Sequence, residues 1–464
     1  MPASTIRHPR LTLPVLCLAV LATQLDTSVA NLGLRPIGIG LHAGFGALQW
    51  VIDGYTLPYA ALLLTGGHLA DLYGRRRLFM AGAALLVLAS LAGALAPDIA
   101  VLIASRVLAG TGAALLVPAA LALIRVAWPD PVPRAKALGL WAAGNGVAFA
   151  IGPIAGGLMI EHFGWRGIFV VAIPAALAAV ALAPMALPLS ADPDDRAFDA
   201  PAQLLGILIL GGMVAAAIAI RSHVGLAAAA LLVAILALVG FIRVESRAGA
   251  GALVPLDMLR LRPFVGAVIG AAGMTFGMYG TIFLLPMAWL QSNRLDPVQA
   301  GLALMPMAVI FAVVSSASGH LAARWGLRRL TAGGVALIGT GLIIVGGTIG
   351  AALIETEVGL ILTGIGMGLA TGALMGEAVG AVPAARSGTA SALINVARMT
   401  GAATGVAAMG TVYALAGGGD HGILAATFLG GGLQGLAAIA NWKLGYPKAG
   451  ALGLCEKSSP PSRG

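Results

Sequence analysis

Fourteen apolar stretches follow one another along the chain, and each is long enough to cross a bilayer. A helix needs about 20 apolar residues to span the hydrocarbon core, where only helices and closed barrels satisfy their own backbone hydrogen bonds. A barrel would show strand-like alternation, which these stretches lack. The sequence therefore predicts an all-α integral membrane protein with spans near residues 11–33, 47–70, 78–96, 100–124, 137–159, 165–187, 203–220, 224–242, 263–290, 298–322, 330–352, 358–382, 388–414 and 422–441.

The charged residues indicate how these spans are oriented. Only 10% of the 464 residues are charged and the net charge is +9, whereas soluble domains carry about 25% charged residues. Cytoplasmic loops are enriched in Lys and Arg, and placing both termini inside puts 21 of the 27 basic residues in cytoplasmic segments. We expect a multi-pass protein of the cell (inner) membrane with both termini cytoplasmic. Because the orientation of the spans explains the excess of basic residues, no nucleic-acid partner is expected.

A charged turn occurs twice. GGHLADLYGRRRL at residues 66–78 and SGHLAARWGLRRL at residues 318–330 are identical at eight of thirteen positions and lie 252 residues apart. A same-direction repeat of six spans predicts two six-helix bundles related by an axis along the membrane normal. The expected domains are an N-terminal bundle (1–187), a linker with two extra transmembrane helices (188–262), a C-terminal bundle (263–441) and a cytoplasmic tail (442–464).

Several further motifs follow one another along the chain: LDTSVANLGLRPI (25–37), QWVIDGYTL (49–57), the first charged turn, RVLAGTG (106–112), GPIAGG (152–157) and SGTASALINVARMTG (387–401). In this order they resemble the major facilitator superfamily, specifically its fourteen-span drug:proton antiporter group. The resemblance covers nearly the whole chain, and it implies the major facilitator fold. The sequence departs from the group's pattern at Leu72, Ala109 and Arg35.

The resemblance implies two sets of functional residues. A cytoplasmic gating motif would consist of Gly67, Asp71, Gly74, Arg75 and Arg76, with Asp71 as a latch that holds the bundles together in the outward-facing state. The alternative is a topology anchor, which would explain the arginines alone. An antiporter motif would form a leak-proof seam between the halves, although small residues also favour simple close packing; its members are Gly152, Pro153, Gly156 and Gly157.

Ionisable residues inside spans are costly, so they are candidates for function. Asp26, Asp53 and Arg106 lie at a common depth on spans one, two and four, which permits one buried cluster for proton coupling. Burial favours the neutral form of a carboxyl and a neighbouring guanidinium favours the ionised form. Separating or joining the two groups would therefore load or release a proton. The alternative is a static pair of Asp26 and Arg106 that only holds the bundle together.

A second set of polar and aromatic residues could line a substrate pocket. Glu377 could instead face water near the cytoplasmic end of span twelve, and Arg398 could be a structural link to carbonyl groups. Aromatic residues at helical spacing are also often packing residues. The candidate pocket residues are Asp53, Tyr279, Phe283, Glu377, Asn395 and Arg398.

The motifs that the sequence contains and lacks exclude two classes of function and favour a third. A phosphate-cradling GxxxxGK[ST] does not occur, nor do HExxH or GxSxG, so neither an ATP-driven pump nor a membrane hydrolase is expected. The sequence predicts a proton-coupled exporter of hydrophobic or cationic drugs or metabolites that works by alternating access. Catalytic residues, metals, cofactors and an obligate protein partner are not expected; the partners are a small molecule, protons and the lipid bilayer. The alternative is a facilitator that takes up a small nutrient or metabolite.

Overall fold

The computed structural model describes residues 9–191, 200–220, 223–248, 256–292, 294–383 and 386–445. Each of the fourteen predicted spans corresponds to a helix or, for the sixth, to a pair of helices. The helices are α1 (Thr12–Gly40), α2 (Phe45–Tyr73), α3 (Arg75–Ala94), α4 (Ile99–Ala127), α5 (Pro131–Phe163), α6 (Gly167–Val170), α7 (Ile173–Ala186), α8 (Ala200–Ala219), α9 (Val224–Ala248), α10 (Arg262–Gln291), α11 (Pro297–Trp325), α12 (Leu327–Thr348), α13 (Leu353–Gly380), α14 (Ser387–Leu415) and α15 (Gly419–Leu444).

The sixth predicted span is interrupted between α6 and α7. Residues 171 and 172 form a turn, and Pro174 stands in the first turn of α7. Proline lacks the N–H that would continue the hydrogen-bond ladder and is tolerated where a helix begins. Counting this pair once, eleven helices of the described chain are long and apolar enough to cross a membrane.

Two bundles of helices form the protein. In the N-terminal bundle α2 and α3 pack on α4, and α1 packs on α5; in the C-terminal bundle α10 packs on α14, α12 on α13 and α15, and α11 on α13. Helices joined by short connections alternate in direction. We call the end that holds the start of α1 and the end of α15 the termini end, and the opposite one the far end. Residues 192–199 and 249–255 lie outside the described residues, so the bounds of the linker remain a prediction.

The buried apolar side chains show where the bundles meet. One cluster joins the far half of the N-terminal bundle, including Leu34 and Trp165, to the C-terminal bundle through residues such as Leu285 and Trp289. The termini half of the N-terminal bundle has its own cluster around Leu16 and Phe79. Apolar packing therefore joins the two bundles at the far end.

The repeated charged turn has the same structural role in both bundles. Arg76 donates through Nη1 to the carbonyl oxygens of Pro184 (3.2 Å) and Leu187 (3.4 Å), at the end of α7. Its repeat partner Arg328 donates through Nε to the carbonyl of Trp442 (2.7 Å), near the end of α15. The last carbonyl groups of a helix have no partner within it, so each arginine ties the turn between the second and third helices of its bundle to the bundle's last helix.

The inserted helix α8 contacts both bundles. Near the termini end, Gln203 donates to the carbonyl of Ala61 and accepts from the hydroxyl of Thr65, both on α2. Near the far end, the hydroxyl of Thr411 on α14 donates to the carbonyl of Ala217 (2.6 Å). The second inserted helix, α9, packs on α8. The insertion therefore covers the junction of α2 and α14 rather than one bundle alone.

Candidate functional site

Asp26 and Arg106 form a buried ion pair inside the N-terminal bundle. Nη1 of Arg106 lies 2.9 and 2.8 Å from Oδ1 and Oδ2 of Asp26, and the two side chains are 2% and 1% exposed. The Nε atom of Arg106 donates to the carbonyl of Val51 at 3.2 Å. Charge-assisted hydrogen bonds of this kind are among the strongest in proteins. The pairing expected from the common depth of the two residues is present.

An aromatic ring separates this pair from the space between the bundles. The guanidinium carbon of Arg106 lies 4.9 Å from the ring centroid of Tyr55, and the ring of Phe169 flanks it at 5.7 Å. Tyr55 also donates to the carbonyl of Thr23 at 3.4 Å, and it lines a small central cavity. The side chain of Tyr55 is therefore the one that lies between the ion pair and the cavity.

Asp53 does not join the ion pair, contrary to the single cluster expected for proton coupling. The hydroxyl of Thr56 donates to its Oδ1 at 3.5 Å, while Oδ2 is buried without a hydrogen-bond partner. Gln49, one turn away on α2, donates to two carbonyl groups of α14. Asp53 therefore lies on the side of α2 that faces the other bundle, because depth in the membrane does not fix rotation about a helix axis.

The central cavity lies between the bundles. Tyr279 of the predicted pocket lines it, whereas Arg398 is not among the lining residues. Asn395 instead donates to the carbonyl of Ser391 at 3.0 Å within its own helix. The lining comes from α1, α2, α10 and α14 and consists of Thr23, Gln24, Thr27, Tyr55, Thr56, Tyr59, Tyr279 and Met399.

Two further predicted pocket residues lie toward the ends of the bundles, away from this cavity. Phe283 is fully buried near the far end, where its ring packs edge-on against Phe45 with centroids 5.8 Å apart. Glu377 is also fully buried, not water-facing, and lies near the termini end. Asn441 of α15 donates to its Oε2 at 3.1 Å, so Glu377 takes part in a contact with α15 instead of facing the central cavity. The predicted pocket is thus divided among three places along the membrane normal.

The antiporter motif forms a seam on α5 that faces two helices. A Cβ added at Gly152 would lie 2.4 Å from the hydroxyl oxygen of Ser28 on α1, in the same bundle. One added at Gly157 would lie 2.9 Å from the carbonyl oxygen of Pro297, the first residue of α11 in the other bundle. Small residues are needed wherever helix backbones approach this closely. The motif therefore closes the far end between α5 and α11.

The gating motif makes a local contact at the termini end. Nη2 of Arg75 lies 2.6 Å from Oδ1 of Asp71, and the side chains are 17% and 38% exposed. Gly74 separates α2 from α3 with a φ of +103°, in the range that favours glycine. The pair bridges two consecutive helices of the N-terminal bundle rather than the two bundles.

A second ion pair at the termini end links the start of α14 to the segment before α10. Arg386, at the start of α14, forms an ion pair with Asp257 of a short 3-10 helix, Leu256–Arg260. The hydrogen bond from the Arg386 guanidinium lowers the pKa of Asp257. The ion pair stabilises the folded protein at pH values above the pKa that Asp257 has in the unfolded chain. This stabilisation is lost as the pH falls through the lower pKa of Asp257 in the folded protein.

Sequence reasoning missed seven of the eight residues that line the central cavity, including Tyr55 and Tyr59. Both belong to span two, four residues apart, and their ring centroids lie 5.9 Å apart. Residues separated by four lie on one face of a helix. This spacing, which begins in the QWVIDGYTL stretch beside Asp53 and ends two residues after it, was the signal that could have found them.

The fold and the site define a class of protein. Two similar helical bundles that enclose a central cavity are the architecture of secondary transporters. The profile of the Major Facilitator Superfamily matches residues 16–406. The chain belongs to this superfamily.

Curated relatives are similar over most of their length. The multidrug resistance protein Stp of Mycobacterium tuberculosis is 33% identical, over 88% of this chain and 76% of the relative. The multidrug efflux pump LfrA of Mycolicibacterium smegmatis is 32% identical, over 88% and 82%. The puromycin resistance protein pur8 of Streptomyces alboniger is 34% identical, over 93% and 88%.

Solved structures share the fold at low identity. A peptide transporter POT in complex with sulfate superposes with a TM-score of 0.69 at 14% identity, over 94% of this chain and 95% of the other. The xylose transporter XylE from E. coli, in a partially occluded inward open conformation, has a TM-score of 0.65 at 14% identity, over 94% and 99%. These matches establish the fold and not the cargo.

Proposed function

We propose that the protein is a proton-coupled exporter of hydrophobic compounds in the cell membrane. The observation that carries the proposal is the buried Asp26–Arg106 pair, one aromatic ring away from the cavity between the bundles. The efflux and resistance relatives support export over nutrient uptake. The protein acts as a single chain in the bilayer, with a small molecule and protons as its partners.

The proposed coupling uses the ion pair as a proton switch. In the proposed cycle Arg106 contacts the Asp26 carboxylate in one state of the bundle, and a rearrangement that separates the two side chains lets the carboxylate carry a proton. A proton moving down about 100 mV and one pH unit supplies about 3.7 kcal/mol. This free energy supports a cargo gradient of several hundred-fold at one proton per cargo molecule.

We infer that the termini end faces the cytoplasm and that the structure represents an inward-facing state. The orientation follows from the distribution of basic residues in the sequence. The α5–α11 seam and the shared apolar cluster support closure at the far end. In this state cargo would reach the central cavity from the cytoplasm and leave after the seam opens.

Transport into everted membrane vesicles tests the function. Vesicles that contain the protein should accumulate a lipophilic fluorescent dye when the lumen is acidified, and a protonophore should collapse the accumulation. Vesicles without the protein give the background. A dye flux that equilibrates regardless of the pH gradient would instead identify a facilitator.

The cytoplasmic latch gives a separate prediction. Asp71→Asn should leave stability within about 1 kcal/mol, because exposed ion pairs contribute little. It should slow export several-fold, since the latch would no longer hold the termini end closed in the opposite state. In a variant with Met399→Cys as a reporter in the cavity, labelling from the cytoplasmic side should increase.

Asp420→Asn is the matched control for the latch. Asp420 pairs with Arg294 at 2.7 Å at the far end, and the two side chains have 43% and 39% exposure. Loss of this pair should change neither export nor labelling. If Asp71→Asn behaves like Asp420→Asn, the charged turn is a topology anchor only.

A further inference from the structure

Asp53 is a fully buried carboxylic acid at the contact between the two bundles. Its side chain is 0% exposed, and its Oδ2 atom has no hydrogen-bond partner. Among the described residues, no Lys, Arg or His side chain lies within ion-pair distance of it. Holding an ionised group inside a membrane protein without a counterion is costly. The position therefore suits a group that changes its charge during the transport cycle.

The neighbours of Asp53 along α2 show which surface it occupies. Gln49, one turn toward the far end, donates to two carbonyl groups of α14 at 3.3 and 3.1 Å. Leu57, one turn toward the termini end, packs in a buried cluster with Ala403 of α14. Residues four apart lie on one face of a helix. Asp53 therefore faces α14 between these two contacts, on a surface that must separate when the far end opens.

The charged groups of the helices around Asp53 pair elsewhere or lie at another depth. Those of α1 and α4, Asp26 and Arg106, pair with each other. On α14, Arg398 stands five residues before Ala403, roughly 7 Å nearer the termini end. The helix α8 carries no charged residue, and the arginines of α3 stand in its first turn at the termini end. The other titratable groups are the phenols in the cavity wall, those of Tyr55, Tyr59 and Tyr279.

A hydroxyl group lies between Asp53 and the central cavity. Thr56 lines the cavity, and its hydroxyl has two acceptors, the carbonyl of Ile52 at 2.9 Å and Oδ1 of Asp53 at 3.5 Å. A hydroxyl has one proton to donate and two lone pairs that accept. While it donates to the nearer carbonyl, its oxygen can accept a hydrogen bond from a protonated carboxyl. The site can therefore hold Asp53 in its neutral form.

We propose that Asp53 is a proton-dependent gating residue, over which the far end closes only when its carboxyl carries a proton. The inference rests on the proposed exporter function and orientation. When the bundles rock apart at the far end, the carboxylate meets the outer solution and takes a proton from water there. The neutral carboxyl then enters the α2–α14 contact at a much lower cost than the ion. The proton returns to the outer water after reopening, so it is not one of those exchanged for cargo.

Distances between spin labels across the far end test this inference. The labels are placed at Leu95→Cys, after α3, and Leu415→Cys, at the end of α14, where the native side chains are 78% and 64% exposed. The two native cysteines, Cys17 and Cys455, are replaced by serine. Pulsed EPR of the full-length protein in lipid nanodiscs, without cargo or a pH gradient, should show a short-distance population that falls about fivefold or more between about pH 5 and about pH 9. Asp53→Asn is neutral throughout and should keep this population at both pH values.

Glu357→Gln is the matched control. Glu357 is also buried and has one carboxylate oxygen without a hydrogen-bond partner, but its helix α13 packs on α11 and α12 of its own bundle. This variant should keep the wild-type pH response. Asp53→Glu should respond with a shifted midpoint. If the elution profile and Tm show that Asp53→Asn is not folded, a shifted midpoint in Asp53→Glu beside an unshifted one in Glu357→Gln supports the inference, and unshifted midpoints in both contradict it.

The inference fails separately from the proposed function. An equal pH response in the wild-type protein and Asp53→Asn, or no response in the wild-type protein, would show that Asp53 is a structural residue of the α2–α14 contact. Gradient-driven dye export in the vesicle assay would then still stand. Conversely, a pH response that Asp53→Asn abolishes, in a protein that does not export, would support the gate and contradict the proposed function.

Discussion

Asp26→Asn is expected to abolish pH-driven export while the protein still inserts into the membrane. The asparagine carbonyl can accept one hydrogen bond from Nη1 of Arg106, which in the native protein contacts both carboxylate oxygens. It cannot take up or release a proton. Dye accumulation in acidified everted vesicles should therefore fall to the level of vesicles without the protein, whereas dye binding measured without a gradient should persist.

Stability has to be separated from coupling at this position. Removing one partner of a buried ion pair costs about 3–5 kcal/mol, because the other charge is left uncompensated. The double variant Asp26→Asn/Arg106→Gln leaves no unbalanced charge, so its Tm should exceed that of the single variant. If coupling requires the carboxylate, the double variant should be equally unable to export.

Asp26→Glu completes the test of the carboxylate. It keeps the titratable group but moves it by one methylene in a tightly packed site, so partial export with a shifted pH optimum is expected. Normal gradient-driven export by Asp26→Asn would mean that the pair is a structural link. Asp53, with one buried carboxylate oxygen that has no hydrogen-bond partner, and Glu377 would then be the next carboxylates to replace.

The fold could be predicted from the sequence because the bilayer leaves few choices. Each apolar run must form a helix to satisfy its backbone, and the distance between the two charged turns gives the six-span repeat. The break between α6 and α7 was missed because the hydropathy of the run continues across it. Pro174 was the local sign, but proline is also common in unbroken transmembrane helices.

The site was only partly predictable. Depth along a span follows from counting residues, which brought Asp26 and Arg106 together correctly. Rotation about the helix axis does not follow from depth, so Asp53 was assigned to the same cluster although it faces the other bundle. Glu377 was assigned to the substrate pocket, with a water-facing position near the helix end as the alternative, yet it is fully buried and accepts a hydrogen bond from Asn441 of α15. The direction in which such a side chain faces and its burial depend on contacts between segments that are distant in the sequence.

Gly301→Ala should prevent the far end from closing. A Cβ added at position 301 would lie 2.4 Å from the carbonyl oxygen of Pro153 and 2.8 Å from its carbonyl carbon. These are backbone atoms of α5 in the other bundle, so no rotamer change can relieve the clash, and the two helices must separate. Export should fall at least about tenfold, because the transport cycle loses this state.

The labelling of a cysteine reporter and a matched glycine variant test whether the clash at the α5–α11 contact causes the loss of export. Ile160, which is 9% exposed, lines a cavity of about 610 Å³ at the far end, so an Ile160→Cys reporter should be labelled faster from outside in the Gly301→Ala background. Gly435→Ala on α15 adds the same methyl group where no atom lies within 4 Å, and it should leave export and labelling unchanged. Normal export by Gly301→Ala, with labelling equal to that of the Gly435→Ala control, would mean that the α5–α11 contact is not required in the cycle. Slow export with increased labelling would instead identify these small residues as the seam that must close before the cytoplasmic side can open.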